Sequence, residues 1–376
     1  MKTISLGGIS PETFLQDYWQ KKPLLVRKAL PGFDGLLSVD ELIDLACQDS
    51  VQSRLITREN DAWDVQSDQL ASADFKGLDN TQWTLLVHDV NHYLESARDL
   101  LLQFGFIPFA RLDDLMVSFS PTGGGIGPHV DSYDVFLLQG QGSKRWQISA
   151  QQDLELIEDN PLKILRDFRP EQEWVLEPGD MLYLPPNYAH NGVAVNNGMT
   201  YSIGFRAPSH QEICEQFLVY LQDHVKIDGR YSDPDLELQS CPSEIGSPML
   251  SKINDILSKI RWQQADVERF LGTYLTEPKP HVFFDPPFNP LTKAKFLQQI
   301  NKKEVQLDLR SQMLVIKNLF FINGDVHVVK TSSCLLLEAF ADSHKLTLSD
   351  DIDEEISDLF YQWYLYGYIL LINGGN

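Results

Sequence analysis

The sequence predicts an α+β protein: a barrel or sandwich of short strands with helices packed outside it, then a helical region and a further mixed domain. Three observations predict this. Within residues 114–205, about seven short apolar runs are separated by Gly, Pro and Asn turns, the texture of a β-sandwich or barrel. On either side of that stretch, apolar residues recur at helical spacing. Residues 278–290 are Pro-rich and mark a boundary before a last segment of mixed helix and strand signals.

The chain has 376 residues, enough for two or three domains and for a core around a polar site. Its 53 acidic against 31 basic residues give a net charge of −22, which disfavours phosphate backbones and favours a basic partner such as a Lys/Arg-rich protein segment. An acidic balance also serves solubility alone. The four cysteines, Cys47, Cys214, Cys241 and Cys334, include no Cys-x-x-Cys pair, so neither a thiolate zinc site nor a disulfide framework is indicated. No apolar run approaches a membrane span and no secretory leader is legible, so an intracellular, cytoplasmic setting is expected.

In chain order, Ser10 caps a first helix with Pro11 at its first position, and a strand is expected over residues 24–27. Ser38 and Glu41 form a capping box for a second helix. Residues 58–79 carry no clear period. From Thr81 the spacing of Trp83, Leu86, Val87, Val90, Leu94, Ala97 and Leu101 predicts one helix. His88 and His92 would share a face of it, a possible metal pair, but no third ligand of the zinc-protease type follows. The strands begin at Asp114, and Gly123-Gly-Gly125 reads as a turn needing positive φ, not a phosphate loop. After Pro208, Ser209 with Glu212 caps a helix, Ser247-Pro248 starts a second, and a third runs to about Tyr274. Beyond residue 290 come a helix over 292–300, strands within 305–329, helices from Ser332 and Asp351, and a final strand over 368–372, an order that suggests a winged helix. Residues 281–376 hold eight Lys/Arg against twelve Asp/Glu, which argues for a protein-contact or structural role and against direct nucleic-acid binding.

The chemistry centres on Gly127-Pro-His129-Val-Asp131. On a strand, residues two apart face the same way, so His129 and Asp131 would offer a nitrogen and a carboxylate oxygen to one ion, with His190 downstream as the third ligand. Two histidines and a carboxylate with open positions suit a non-heme Fe(II) oxygenase.

The pattern of Gly123, His129-x-Asp131, Gly179-Asp180, Pro185 and His190 resembles the paired motifs of the cupin superfold, with Asp131 standing where many metal cupins have a second histidine. The His-x-Asp…His form resembles the JmjC class of 2-oxoglutarate oxygenases. Closer still, the stretches from Asp113 to Ser120 and from Gly127 to Phe136, the Glu177-Pro-Gly-Asp-Met-Leu-Tyr-Leu-Pro-Pro186 run, Ser202-Ile-Gly-Phe-Arg206 and Tyr18-Trp-Gln-Lys-Lys-Pro23 resemble the bacterial ribosomal oxygenases.

That resemblance implies a double-stranded β-helix (cupin/JmjC jelly roll) with flanking helices over 1–208, a helical dimerisation region over 209–277 and a C-terminal winged-helix-like domain over 278–376. It implies Fe(II), with 2-oxoglutarate and O₂ as co-substrates; oxidative decarboxylation to succinate and CO₂ provides the oxidant for a C–H bond. The proposed substrate is an arginine on a basic loop of a large-subunit ribosomal protein, the sixteenth in bacterial nomenclature, and the oligomer a homodimer. Lys144, following one strand and a turn, can return beside the metal and pair with the distal carboxylate of 2-oxoglutarate, while Arg145 should face away. Thr200 and Ser118 would complete that pocket. Carried over by motif, Asp114 and Tyr133 would hold the arginine with Ser202 assisting, since a carboxylate suits a guanidinium. Two other readings remain open at this point: a metal-cupin regulatory or binding protein without turnover, and an N-methyl lysine demethylase that uses the same oxidant.

Overall fold

A computed structural model of the chain describes residues 3–59, 62–78, 82–300, 302–348 and 353–373. It divides into two compact units. Met1–Ala207, Pro278–Ser311 and Ser343–Asn376 make the first, and Pro208–Glu277 with Gln312–Asp342 the second.

The first unit opens with α1 (Pro11–Asp17), β1 (Leu24–Val26) and α2 (Val39–Ala46). Both helices start where side chains satisfy free N–H groups: Ser10 Oγ accepts from Thr13 N–H, and Ser38 and Glu41 form the reciprocal box. There follow β2 (Ser53–Glu59), β3 (Ala62–Ser67), β4 (Trp83–Val87), α3 (Glu95–Leu102), β5 (Leu112–Ser120), β6 (Val135–Gln139), β7 (Lys144–Ser149), β8 (Gln172–Leu176), β9 (Met181–Leu184), β10 (Ala189–Ala194) and β11 (Gly198–Phe205). Eight of these strands form one sheet, in the order β1-β9-β6-β11-β5-β4-β2-β3, and three form a second, β10-β7-β8; every pairing is antiparallel.

Strand alternation decides what each face of the large sheet does. Leu115, Val117 and Phe119 of β5, Phe136 and Leu138 of β6, Met181 and Tyr183 of β9, and Met199, Tyr201, Ile203 and Phe205 of β11 all join one buried cluster. Phe14 of α1 and Leu42 of α2 belong to the same cluster, with the Phe14 ring 4.9 Å from Tyr183 and 5.5 Å from Phe136, so the N-terminal helices cover the outer face as expected. Truncating a buried phenylalanine of this kind costs about 3–5 kcal/mol. The opposite face points inward. There Leu137, Leu182 and Leu184 pack with Trp146 and Ile148 of the small sheet, while Asp114, Ser118, Thr200 and Ser202 stay polar and buried.

The helix expected from Thr81 forms only at its C-terminal end, as α3: residue 81 lies outside the described residues, and 83–87 form β4, paired with β2 and β5. Trp83-Thr-Leu-Leu-Val is rich in β-favouring residues, and the cross-strand bond between Thr84 Oγ1 and Ser120 Oγ (2.8 Å) together with two sheet neighbours outweighs the helical spacing. Asp89, left-handed at φ 53°, then breaks the chain into a short turn at Val90–His92 before α3. The stretch without a clear period also proves to hold strand, the end of β2 and all of β3.

The second unit begins with α4 (His210–His224), α5 (Ser247–Leu257) and α6 (Gln264–Thr276). The chain then returns to the first unit with α7 (Lys293–Ile300) and β12 (Glu304–Leu307). It gives β13 (Met313–Ile316), β14 (Leu319–Ile322), β15 (Asp325–Val328) and α8 (Thr331–Ser343) to the second, and closes the first with β16 (Lys345–Thr347), α9 (Glu354–Tyr366) and β17 (Ile369–Ile372). The start expected for α9 at Asp351 lies outside the described residues. Within the second unit, a Cβ at Gly272 of α6 would stand 2.4 Å from the Phe321 ring, so helix and sheet approach as closely as glycine permits. Phe217 of α4 meets Phe270 of α6 at 5.1 Å. In the first unit, β12 pairs with both β16 and β17.

Candidate metal centre

His129 and His190 are joined at the backbone first. His129 N–H donates to His190 O (3.0 Å) and His190 N–H to His129 O (2.9 Å), an isolated bridge that brings the rings to 4.1 Å between centroids. The expectation that His129 and Asp131 share a strand is not met: residues 126–128 and 130–134 are irregular. Gly127 at φ 78° and Pro128, which has no N–H, stop a ladder from propagating there. The two side chains still converge. Asn187 N–H holds Asp131 O at 2.7 Å, and Asp131 Oδ2 lies 3.6 Å from His190 Nε2. One ligand atom from each of His129, Asp131 and His190 falls within 4.8 Å of the others.

The donor set fits a divalent ion. His129 Nδ1 lies 2.9 Å from Gly127 O and His190 Nδ1 2.9 Å from Tyr188 O. A carbonyl only accepts, so each Nδ1 carries the proton and each Nε2 keeps its lone pair for a metal. Burial, and next the neighbouring His129, push the His190 pKa down to about 4, with Asp131 only partly opposing them. The ring is therefore neutral at pH 7, as a ligand must be. These residues would hold Fe(II) on one side and leave its other positions open. His88 and His92 do not form a second centre: the triad is the one such grouping among the described residues.

The triad opens into a cavity of about 410 Å³ between the two sheets. All nine residues singled out by the sequence line it: His129, Asp131, His190, Lys144, Thr200, Ser118, Asp114, Tyr133 and Ser202. Lys144 starts β7, and its residue is 8% exposed, whereas Arg145 is exposed. Among the described residues no carboxylate reaches the Lys144 ammonium; it stands 4.9 Å over the Trp146 ring, and burial lowers its pKa to about 8. Room for it comes from Gly192, where a Cβ would lie 2.7 Å from the Trp146 ring and 2.8 Å from Lys144 Cε. Thr200 sits opposite Ser118 in the β5–β11 register; its hydroxyl donates to Gln139 Oε1 at 3.1 Å, while Ser118 Oγ makes only a 3.5 Å contact to Thr200 O.

Asp114 lies on the same inward face of β5. Its Oδ2 takes Asp89 N–H at 3.3 Å and lies 3.6 Å from His88 Nδ1. Burial alone would raise this carboxyl, but His88, Lys279 and the Asp89 N–H together hold it below the usual range, so it is anionic. Lys279 is anchored on Asp89 at 2.7 Å and Asp113 at 3.2 Å. Tyr133 is half-exposed at the mouth, its phenol pushed upward by burial and by Asp131.

Sequence reasoning missed Trp146, Gly192, Ile164, Arg54, Thr84 and His88 as lining residues. Trp146 was legible, since it is two residues from Lys144 on the same strand face. Arg54, Thr84 and His88 were hidden by the misread region before β5. The Gly-Asp lead-in to His190 proves to be a brace: Asp180 binds Arg27 at 2.6 Å and Lys28 N–H at 2.9 Å. Of the three glycines 123–125, only Gly123 has positive φ (82°); a Cβ on Gly124 or Gly125 would come within 2.4 Å or 2.3 Å of a backbone oxygen.

Comparison with known proteins agrees with this geometry. Residues 99–213 match the JmjC domain and residues 259–369 the ROXA-like winged helix. The ribosomal protein uL16 3-hydroxylase of Escherichia coli is 32% identical over 320 residues, covering 83% of this chain and 84% of that protein. A probable ribosomal oxygenase of Haemophilus influenzae is 40% identical over 235 residues, 61% of this chain and 56% of that one. The structure of YcfD, a ribosomal oxygenase from Escherichia coli, in complex with cobalt and 2-oxoglutarate superposes with a TM-score of 0.84 at 28% identity, covering 99% of each chain. With a JmjC double-stranded β-helix, a winged helix and a His-Asp-His triad in one cavity, the chain belongs to the ribosomal oxygenase family of JmjC proteins.

Proposed function

We propose that this protein is an Fe(II)- and 2-oxoglutarate-dependent oxygenase that hydroxylates an arginine side chain of the large-subunit ribosomal protein uL16. The observation that carries the reading is Lys144, a buried ammonium in the same cavity as the triad that no carboxylate reaches among the described residues. A buried unpaired charge is costly, so such a socket is explained by an anion that arrives with the reaction. When bound, the iron and 2-oxoglutarate with O₂ supply oxidative decarboxylation and the oxidant for a C–H bond.

The protein's own part is positioning and exclusion of water. Lys144 pairs with the distal carboxylate, with Ser118 as the freer hydroxyl donor and Thr200 able to join once its proton leaves Gln139. His129, Asp131 and His190 fix the ion, with the two imidazoles oriented by the Gly127 and Tyr188 carbonyls. Asp114 takes the substrate guanidinium. One of its oxygens is already engaged by Asp89 N–H and His88, so Oδ1 is the freer acceptor. Tyr133 covers the entrance and Ser202 adds a hydroxyl beside Asp114 on the facing strand.

The chain's net charge of −22 suits a basic ribosomal protein rather than nucleic acid, and such a partner supports a cytoplasmic setting. The exposed Leu218 and Val219 of α4 support a homodimer through residues 209–277. The domain limits we propose are 1–208, 209–277 and 278–376. The deciding experiment compares intact masses of ribosomal proteins from cells with and without this gene: uL16 should differ by one oxygen, and equal masses would sink the proposal.

A further inference from the structure

A second buried cation in the first unit makes no ion pair among the described residues. Arg98 of α3 is 6% exposed, and its guanidinium makes one hydrogen bond, from Nη1 to His344 Nδ1 at 2.7 Å. A guanidinium only donates, so His344 is the acceptor, is neutral, and carries its proton on Nε2. Asp308 is bound by Arg310 at 2.8 and 3.0 Å and Glu95 is held by Lys345 and Gln306; Asp99 also lines the cavity, but it is exposed to water, where its charge is screened. No carboxylate oxygen lies within 4.0 Å of Arg98 among the described residues.

Arg98 lines a cavity of about 230 Å³, separate from the metal centre, whose walls come from α3, β12 and the link into β16. Gln103 lines the same cavity, and its buried Oε1, an acceptor, has no partner among the described residues, so it calls for a hydroxyl or other donor on whatever the cavity holds rather than for the anionic group itself. His344 and Lys345 are further donors on the wall. Lys144 sits in the same situation in the other cavity, and there an anionic co-substrate explains it.

We infer that the Arg98 cavity is a second anion site, which takes the carboxylate or phosphate group of a small molecule on the Arg98 guanidinium. The planar fork matches either group bidentately. The volume, below the roughly 300 Å³ at which drug-sized sites begin, admits a compact anion and excludes a polymer. Leu102, Leu307 and Leu309 give the remaining wall an apolar surface for a short carbon body.

The test uses the full metal-free chain carrying Lys144→Met, which removes the other unpaired cation. Calorimetric titration with inorganic phosphate and, separately, with malonate should show saturable binding at one site for at least one of them, and the anion that binds identifies the source. Adding Arg98→Gln should weaken that binding at least tenfold, and Arg98→Lys should weaken it less, because a point charge replaces the fork. Absence of binding by either anion, or equal affinity with and without Arg98, overturns the inference. A readout that needs no further substitution is the ¹⁵Nε resonance of Arg98, which should shift on titration; an unmoved resonance counts against the site even if a variant fails to fold.

Discussion

His190 Nε2 faces Asp131 Oδ2 at 3.6 Å while Nδ1 of the same ring lies 2.9 Å from Tyr188 O; both contacts favour a protonated ring, yet burial and the neighbouring His129 outweigh them and keep the imidazole neutral. Its folded pKa of about 4 lies below the ordinary 6.5. As pH falls, the unfolded chain therefore binds a proton first. The stability tied to neutral His190 is complete above pH 6.5 and is lost as the pH approaches 4, a difference of about 3 kcal/mol. Urea melts of the metal-free chain should show this loss, and His190→Gln should reduce it. An unchanged slope in the variant would place the acid sensitivity elsewhere, for example at His92, which burial lowers to a similar value.

Lys144 makes a second prediction about pH. The ammonium is charged below its pKa of about 8, so at neutral pH the carboxylate socket is ready. Above pH 8, binding the distal carboxylate first requires proton uptake, and the apparent Kd for 2-oxoglutarate should rise about tenfold per pH unit. Lys144→Met should raise it by two orders of magnitude or more at pH 7, on the scale of an unpaired buried charge. Anaerobic titration of the metal-loaded protein reads both. A variant that binds 2-oxoglutarate as tightly as the parent removes Lys144 from the site.

Asp114→Asn keeps the shape and removes the charge. A hydrogen bond to a charged group contributes about 1.5–3 kcal/mol, so the KM for a uL16 peptide should rise roughly 10- to 100-fold. Decarboxylation of 2-oxoglutarate without peptide should be unaffected if Asp114 holds the substrate guanidinium, as proposed, and not the co-substrate. Loss of both activities together would show that the residue braces the fold through Asp89 and His88.

How far the sequence carries depends on the kind of signal. Strand alternation put Asp114 and Ser118 on one face of β5 and turned Lys144 away from Arg145 in β7, whereas Thr200 and Ser202 of β11 entered as pocket candidates without it; all five line the cavity. The metal ligands were legible as residue types, but their geometry was not: a lone bridge, two backbone carbonyls and the left-handed Gly127 align them, and none of these has a periodic trace. Residues 83–87 misled for a physical reason. An apolar pattern of helical spacing coincides there with a strand buried between two neighbours, and only long-range pairing with β2 and β5 decides. The Arg98 cavity was illegible because its walls come from segments some two hundred residues apart in sequence, residues 98–103 and 306–345.

Gly192→Ala tests whether the co-substrate socket is set by packing rather than by the cation alone. The position is opposite Trp146 in the β7–β10 register, and an added Cβ would stand 2.7 Å from the indole and 2.8 Å from Lys144 Cε. The indole is buried and wedged against the inner leucines, so the flexible Lys144 stem is what gives way. Overpacking of this sort costs about 1–3 kcal/mol, and the same displacement should weaken 2-oxoglutarate binding some tenfold or more while Lys144 is still present. Metal affinity should change little, since the His190 backbone bridge to His129 is two residues away and intact. Parallel titrations with metal and with 2-oxoglutarate separate the two effects: a variant that loses metal binding first, or that loses neither, contradicts a socket whose position depends on the missing side chain at 192.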